Sequence, residues 1–108
     1  MEPTARQKER QKAVTAQPSS APRVCVVIPT KNESRSIGAV IQEVRAAFDG
    51  TDYGAPAILV VDDSIDDTAD VVRAAGGRVV SGRSVGLGYA MLRGLRRAAR
   101  TGCRYIVT

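Results

Sequence analysis

Two short runs, VCVVI at 24–28 and AILVV at 57–61, are continuously apolar and mostly β-branched, the pattern of strands buried on both faces of a parallel sheet. A strand covered on both sides needs helices above and below it, and the intervening stretches carry helical spacing. Ile37, Val40, Ile41, Val44, Ala47 and Phe48 recur at steps of three and one, which predicts an amphipathic helix ending near Asp49 and Gly50. The first strand is expected to stop at Pro29. Ser64 with Asp67 three positions on reads as a capping box that opens a second helix through about Ala75, terminated by Gly76 and Gly77. Arg78–Ser81 reads as a third strand. Leu87, Ala90, Met91, Gly94, Leu95, Ala98 and Ala99 then mark a third helix ending at Gly102, and Arg104–Val107 begins a fourth strand. The order βαβαβαβ requires right-handed crossovers, so the expected fold is α/β: a Rossmann-like parallel sheet with helices on both faces and strand order 3-2-1-4.

The first 22 residues, MEPTARQKERQKAVTAQPSSAP, are polar and end in a Pro/Ser/Ala cluster. They lack the apolar segment of a signal peptide and read as a disordered lead, or a short frayed helix, before a domain at 23–108. No apolar run approaches the roughly 18 residues of a membrane span. Charge is distributed unevenly. Residues 24–70 hold three basic and nine acidic side chains, whereas residues 71–108 hold eight arginines and no acid. That asymmetry suits a ligand site with charge on both walls, or an incomplete domain whose acidic remainder is missing. Aromatic content of 4% supplies no base-stacking platform, which argues against nucleic acid. Cys25 and Cys103, with no histidine in the chain, make neither a zinc spacing nor a redox CxxC pair; both read as small buried hydrophobes, compatible with a reducing cytoplasm.

In an open parallel sheet, ligands bind outside the carboxyl ends of the strands where the order reverses. PTKNE at 29–33 and DDSIDD at 62–67 stand at those ends and are expected to converge on one crevice. Successive strand residues point to opposite faces, so Asp62 and Asp63 must have two roles, one toward a ligand and one securing the loop. A carboxylate there accepts hydrogen bonds from the N–H edge of a nucleobase. Asp66 and Asp67 fall in the first turn of a helix and read as structural. Gly86 and Gly88 either admit a ligand phosphate to backbone N–H groups, with Arg83 adding charge, or serve the loop turn and helix packing.

Taken together, VVIPTKNE at 26–33, VVDDSIDDT at 60–68 and GLGYAMLRG at 86–94 resemble the start of a family 2 glycosyltransferase domain, with the nearest likeness to dolichyl- or polyprenyl-phosphate mannosyltransferases. The resemblance covers residues 24–108 and implies the N-terminal half of a glycosyltransferase A-type fold. It also implies that Pro29, Thr30, Asn32, Glu33, Asp62 and Asp63 hold the nucleotide of a GDP- or UDP-sugar. Lys31 stands where family members often have an aromatic residue, which favours contact with a phosphate over stacking on the base. Mg²⁺ or Mn²⁺ is implied for the complete domain, held by an acidic Asp-x-Asp motif that follows the fourth strand in the family. This chain ends at YIVT, so it is expected to hold no metal, to contain no catalytic residue and to turn over little by itself. A polyprenyl phosphate or another acceptor is implied, with the complete protein at the cytoplasmic membrane face.

Three other readings stand beside this one, the last a serious rival for this chain by itself. A receiver domain needs a later phosphoacceptor aspartate and lysine, but the last acid is Asp70 and the last lysine Lys31. A dinucleotide oxidoreductase needs GxGxxG after the first strand, where PTKNE stands. A truncated, inactive fragment that associates through uncovered surface is the non-enzymatic reading.

Overall fold

The computed structural model describes residues 22–108, so the polar lead expected at 1–22 lies outside the described residues apart from Pro22. Strand β1 (Val24–Thr30) leads through helix α1 (Ile37–Phe48) to β2 (Ala57–Asp62) and then to α2 (Thr68–Ala74). Strand β3 (Arg78–Ser81), helix α3 (Leu87–Arg100) and β4 (Tyr105–Val107) complete the order. All pairings are parallel and the strand order is β3-β2-β1-β4, as the pattern of runs predicts.

The pleat divides the two central strands between two cores. Cys25 and Val27 of β1 pack with Leu59 and Val61 of β2 against Ala90 and Ala98 of α3. Ile58 and Val60 pack on the other face against Ile37 and Ile41 of α1 and Val72 of α2. Every residue of both clusters is buried, which accounts for runs with no polar interruption.

Three local expectations are revised. β1 does not stop at Pro29 but runs through it to Thr30, with Pro29 opposite Val61. The Thr30 carbonyl accepts the Asp63 N–H on the β2 side at 3.1 Å. Backbone groups alternate sides along a parallel strand, so Pro29 faces the β4 side, where pairing has already ended at Val26. No ladder bond is lost by its missing N–H. Second, Ser64 does not cap α2: that helix begins at Thr68, whose N–H donates to Asp66 Oδ1 at 2.9 Å. Third, α3 meets the sheet through Ala90, Gly94 and Ala98, whereas Leu87 and Leu95 of the expected apolar stripe are 67% and 36% exposed.

Candidate functional site

At the carboxyl ends of β1 and β2, on the α3 side of the sheet, lies a hollow of about 570 Å³. PTKNE contributes all five of its residues to the lining, from Pro29 to Glu33. Val61, Asp63 and Ile65 come from the end of β2 and its loop, and Ser84, Gly86, Leu87 and Ala90 from the approach to α3 and its first turn. Of the site residues expected from sequence, Pro29, Thr30, Asn32, Glu33, Asp63 and Gly86 therefore share one wall system, while Asp62, Arg83 and Gly88 do not line it.

The aspartate pair divides as the alternation of side chains requires. Asp62 is 9% exposed, and its Oδ1 accepts Thr30 Oγ1–H at 2.9 Å, Ser64 Oγ–H at 2.5 Å and Ser64 N–H at 3.3 Å. It secures the loop. Asp63 turns to the hollow, and its Oδ1 accepts the Ser84 N–H at 2.9 Å. One oxygen is thus tethered, and the second makes no hydrogen bond among the described residues.

Bonds between the loops after β1 and β2 align the walls. Asn32, in the left-handed region at φ 54°, donates its N–H to Ser64 Oγ at 2.6 Å, and its Oδ1 accepts the Ile65 N–H at 3.1 Å. Asparagine tolerates that conformation better than most residues. The Glu33 N–H donates to Oγ1 of fully buried Thr68 at 3.1 Å. Thr68 also bonds Asp66 through its hydroxyl and its N–H, and these bonds hold the Asp66 carboxyl below the usual carboxylate range. Asp66 and Asp67 do not line the hollow. Ser64 and Thr68 are functional supports that sequence reasoning missed, because their partners lie 32 and 35 residues away and no local pattern reports such bonds.

Gly86 has φ 105° and ψ 160°, a region open essentially to glycine alone, and brings the start of α3 to the hollow. Gly88 is different. A Cβ added there would meet nothing within 4 Å, so neither packing nor backbone conformation requires glycine. Arg83 is exposed in a left-handed turn at φ 62°. Ile65, at 95% exposure, and Leu87 add apolar surface at the rim, and neither was anticipated from sequence. Among the described residues no group of three or more His, Cys, Asp or Glu side chains comes together to hold a metal ion.

A Rossmann-like sheet of order β3-β2-β1-β4 with an acidic crevice at its switch point is the first half of a glycosyltransferase A-type fold, and solved glycosyltransferases share it. The model of glycosyl transferase family 2 matches residues 25–108, and the chain belongs to that family. Mannosyl-3-phosphoglycerate synthase from Rubrobacter xylanophilus is 30% identical with a TM-score of 0.59, over 84% of this chain and 30% of its own. Glucosyl-3-phosphoglycerate synthase from Mycobacterium tuberculosis, solved with Mn²⁺, UDP and glucosyl-3-phosphoglycerate, is 29% identical with a TM-score of 0.57, over 92% of this chain and 35% of its own. This chain thus spans about a third of the length of these structures. No curated protein matches it. Both relatives are named as synthases of a glycosyl phosphoglycerate, so the narrower likeness to polyprenyl-phosphate mannosyltransferases is not supported.

Proposed function

We propose that the hollow binds the nucleotide of a sugar donor and that the whole protein transfers a hexose from it to a phosphorylated acceptor. The observation that carries this reading is the meeting of Asp63 with all of PTKNE and the start of α3 around one hollow. Asp63 would accept from the base edge, with the rim side chains of Ile65 and Leu87 covering the ring faces. Lys31 and the free N–H groups at the start of the 14-residue helix α3 would face the diphosphate, where positive potential favours anionic oxygen. In the transfer, the bond from the anomeric carbon to the diphosphate oxygen breaks and its electron pair leaves with the nucleoside diphosphate. The acceptor oxygen bonds to that carbon and loses its proton.

UDP is the favoured base carrier over GDP, and phosphoglycerate the favoured acceptor class over a polyprenyl phosphate. Support for both comes from the mycobacterial relative, solved with UDP and glucosyl-3-phosphoglycerate. A divalent ion, Mg²⁺ or Mn²⁺, would neutralise charge on the departing diphosphate in the complete domain, a reading supported by the Mn²⁺ in the mycobacterial relative's structure. The 108-residue chain alone would then bind donor and turn over little. No helix among the described residues is long and apolar enough to cross a membrane, and two free cysteines support a reducing, cytoplasmic setting.

The test is calorimetric titration of the full-length protein with UDP and GDP in the presence of Mn²⁺. UDP is expected to bind more tightly, and Asp63→Ala to weaken it roughly tenfold to a hundredfold through loss of a charged hydrogen bond. Incubation with UDP-glucose and either 3-phosphoglycerate or a polyprenyl phosphate then identifies the acceptor. Absence of binding by both nucleotides, or phosphorylation by acetyl phosphate in their place, would sink the reading.

A further inference from the structure

Gly82 follows β3 and is buried, yet it is not among the glycines with positive φ, so its backbone does not demand glycine. The reason for glycine is space. A Cβ at this position would lie 2.5 Å from each carboxylate oxygen of Asp63 and 2.6 Å from its Cγ. Real Cβ atoms do not approach that closely, so the place of the missing side chain is filled by the Asp63 carboxylate. The surrounding loop is shaped around the same group. Gly82 N–H donates to the Asp62 carbonyl at 3.2 Å, which extends the β2–β3 ladder one step beyond the strands. Arg83 and Ser84 then take consecutive left-handed conformations, φ 62° and 55°, and the chain folds back so that the Ser84 N–H reaches Asp63.

We propose that Gly82 is a positioning residue: by lacking a side chain it admits the Asp63 carboxylate to the Ser84 N–H and thereby sets the acidic wall of the nucleotide pocket. This rests on the donor-site reading above. The Asp63 carboxylate is a side-chain end held by the Ser84 N–H, whereas Gly82 N–H is part of the β2–β3 ladder, so a methyl group at 82 would displace that carboxylate before it disturbed the sheet. Gly82→Ala is therefore a lesion of the site more than of the fold, although it changes no residue that lines the hollow.

The experiment is a double-mutant cycle in the full-length protein, read by UDP titration and by the amide resonance of Ser84 without nucleotide. In the wild-type background Gly82→Ala is expected to weaken UDP roughly tenfold or more, close to the loss from Asp63→Ala. In the Asp63→Ala background it should change affinity by less than about twofold, because the group it displaces is gone. The Ser84 amide should shift in the same direction in both single variants. An unchanged affinity in Gly82→Ala, or an equal loss in both backgrounds, overturns the proposal. If Gly82→Ala does not fold, recovery of the fold in the double variant supports the contact and failure to recover overturns it. If no form binds UDP, the donor-site reading fails by itself. The Ser84 amide then decides the contact separately: a common shift sustains it and an unmoved resonance overturns it.

Discussion

The carboxylate of Asp62 gathers donors from Thr30 and from both the hydroxyl and the N–H of Ser64, in a position nearly closed to water. Removing it would leave those donors without an acceptor, and buried unsatisfied donors are costly. Asp62→Ala is expected to lower stability by about 2–3 kcal/mol in urea unfolding, whereas Asp63→Ala should cost less than about 1 kcal/mol while losing nucleotide. Equal stability losses from the two would contradict the division of roles. That the adjacent acids differ was legible from the period of two along a strand. Which acid faces the hollow was not, because the answer depends on which face α3 covers. Ser64 was misread as a helix cap because serine three positions before an acid is a local pattern, while its actual partners are Asp62 and the Asn32 N–H of another loop. Burial pushes the Cys25 thiol above its ordinary range, which agrees with its reading as an inert hydrophobe.

Helix α3 shows how an element and the centre of its buried face can be recognised while the large residues beside that centre are not where expected. Periodicity located it and its buried Ala90, Gly94 and Ala98, but the larger Leu87 and Leu95 of the same expected stripe remain exposed. A Cβ at Gly94 would stand 2.5 Å from Val27 Cγ1 and 2.6 Å from Val61 Cγ2, so the helix lies directly on the valines of the two central strands. Close approach selects glycine and alanine, a choice hydrophobicity alone does not reveal. Gly94→Val is expected to cost about 1–3 kcal/mol by overpacking and to weaken nucleotide binding as well, since the same helix carries Gly86 and Leu87 to the hollow. Thermal melting and UDP titration on one preparation check both effects. Stability unchanged by valine would mean that α3 stands further from the sheet.

For the molecule as a whole, the sheet ends on one side at β4, where Tyr105, Ile106 and Val107 are 52%, 38% and 47% exposed. Tyr53 covers part of Tyr105 in an edge-to-face contact with centroids 6.2 Å apart, but the outer edge of the strand has no partner among the described residues. An open apolar edge is a template for pairing. The 108-residue chain is expected to associate as its concentration rises in analytical ultracentrifugation, and Ile106→Lys to return it toward monomer. A monomer at all concentrations would show that this edge is protected. By itself the sequence determined the alternation of strands and helices, the parallel order and the convergence of PTKNE with the aspartates, because burial on both faces and the handedness of crossovers are written in local apolar patterns. Only the tertiary structure decided that Asp63 faces the hollow, that Ser64 and Thr68 tie its loops together, and that Gly82 makes room for a carboxylate. Each of those is a contact between segments far apart in the chain, and such contacts exist only once the sheet has brought the loop ends within hydrogen-bonding distance.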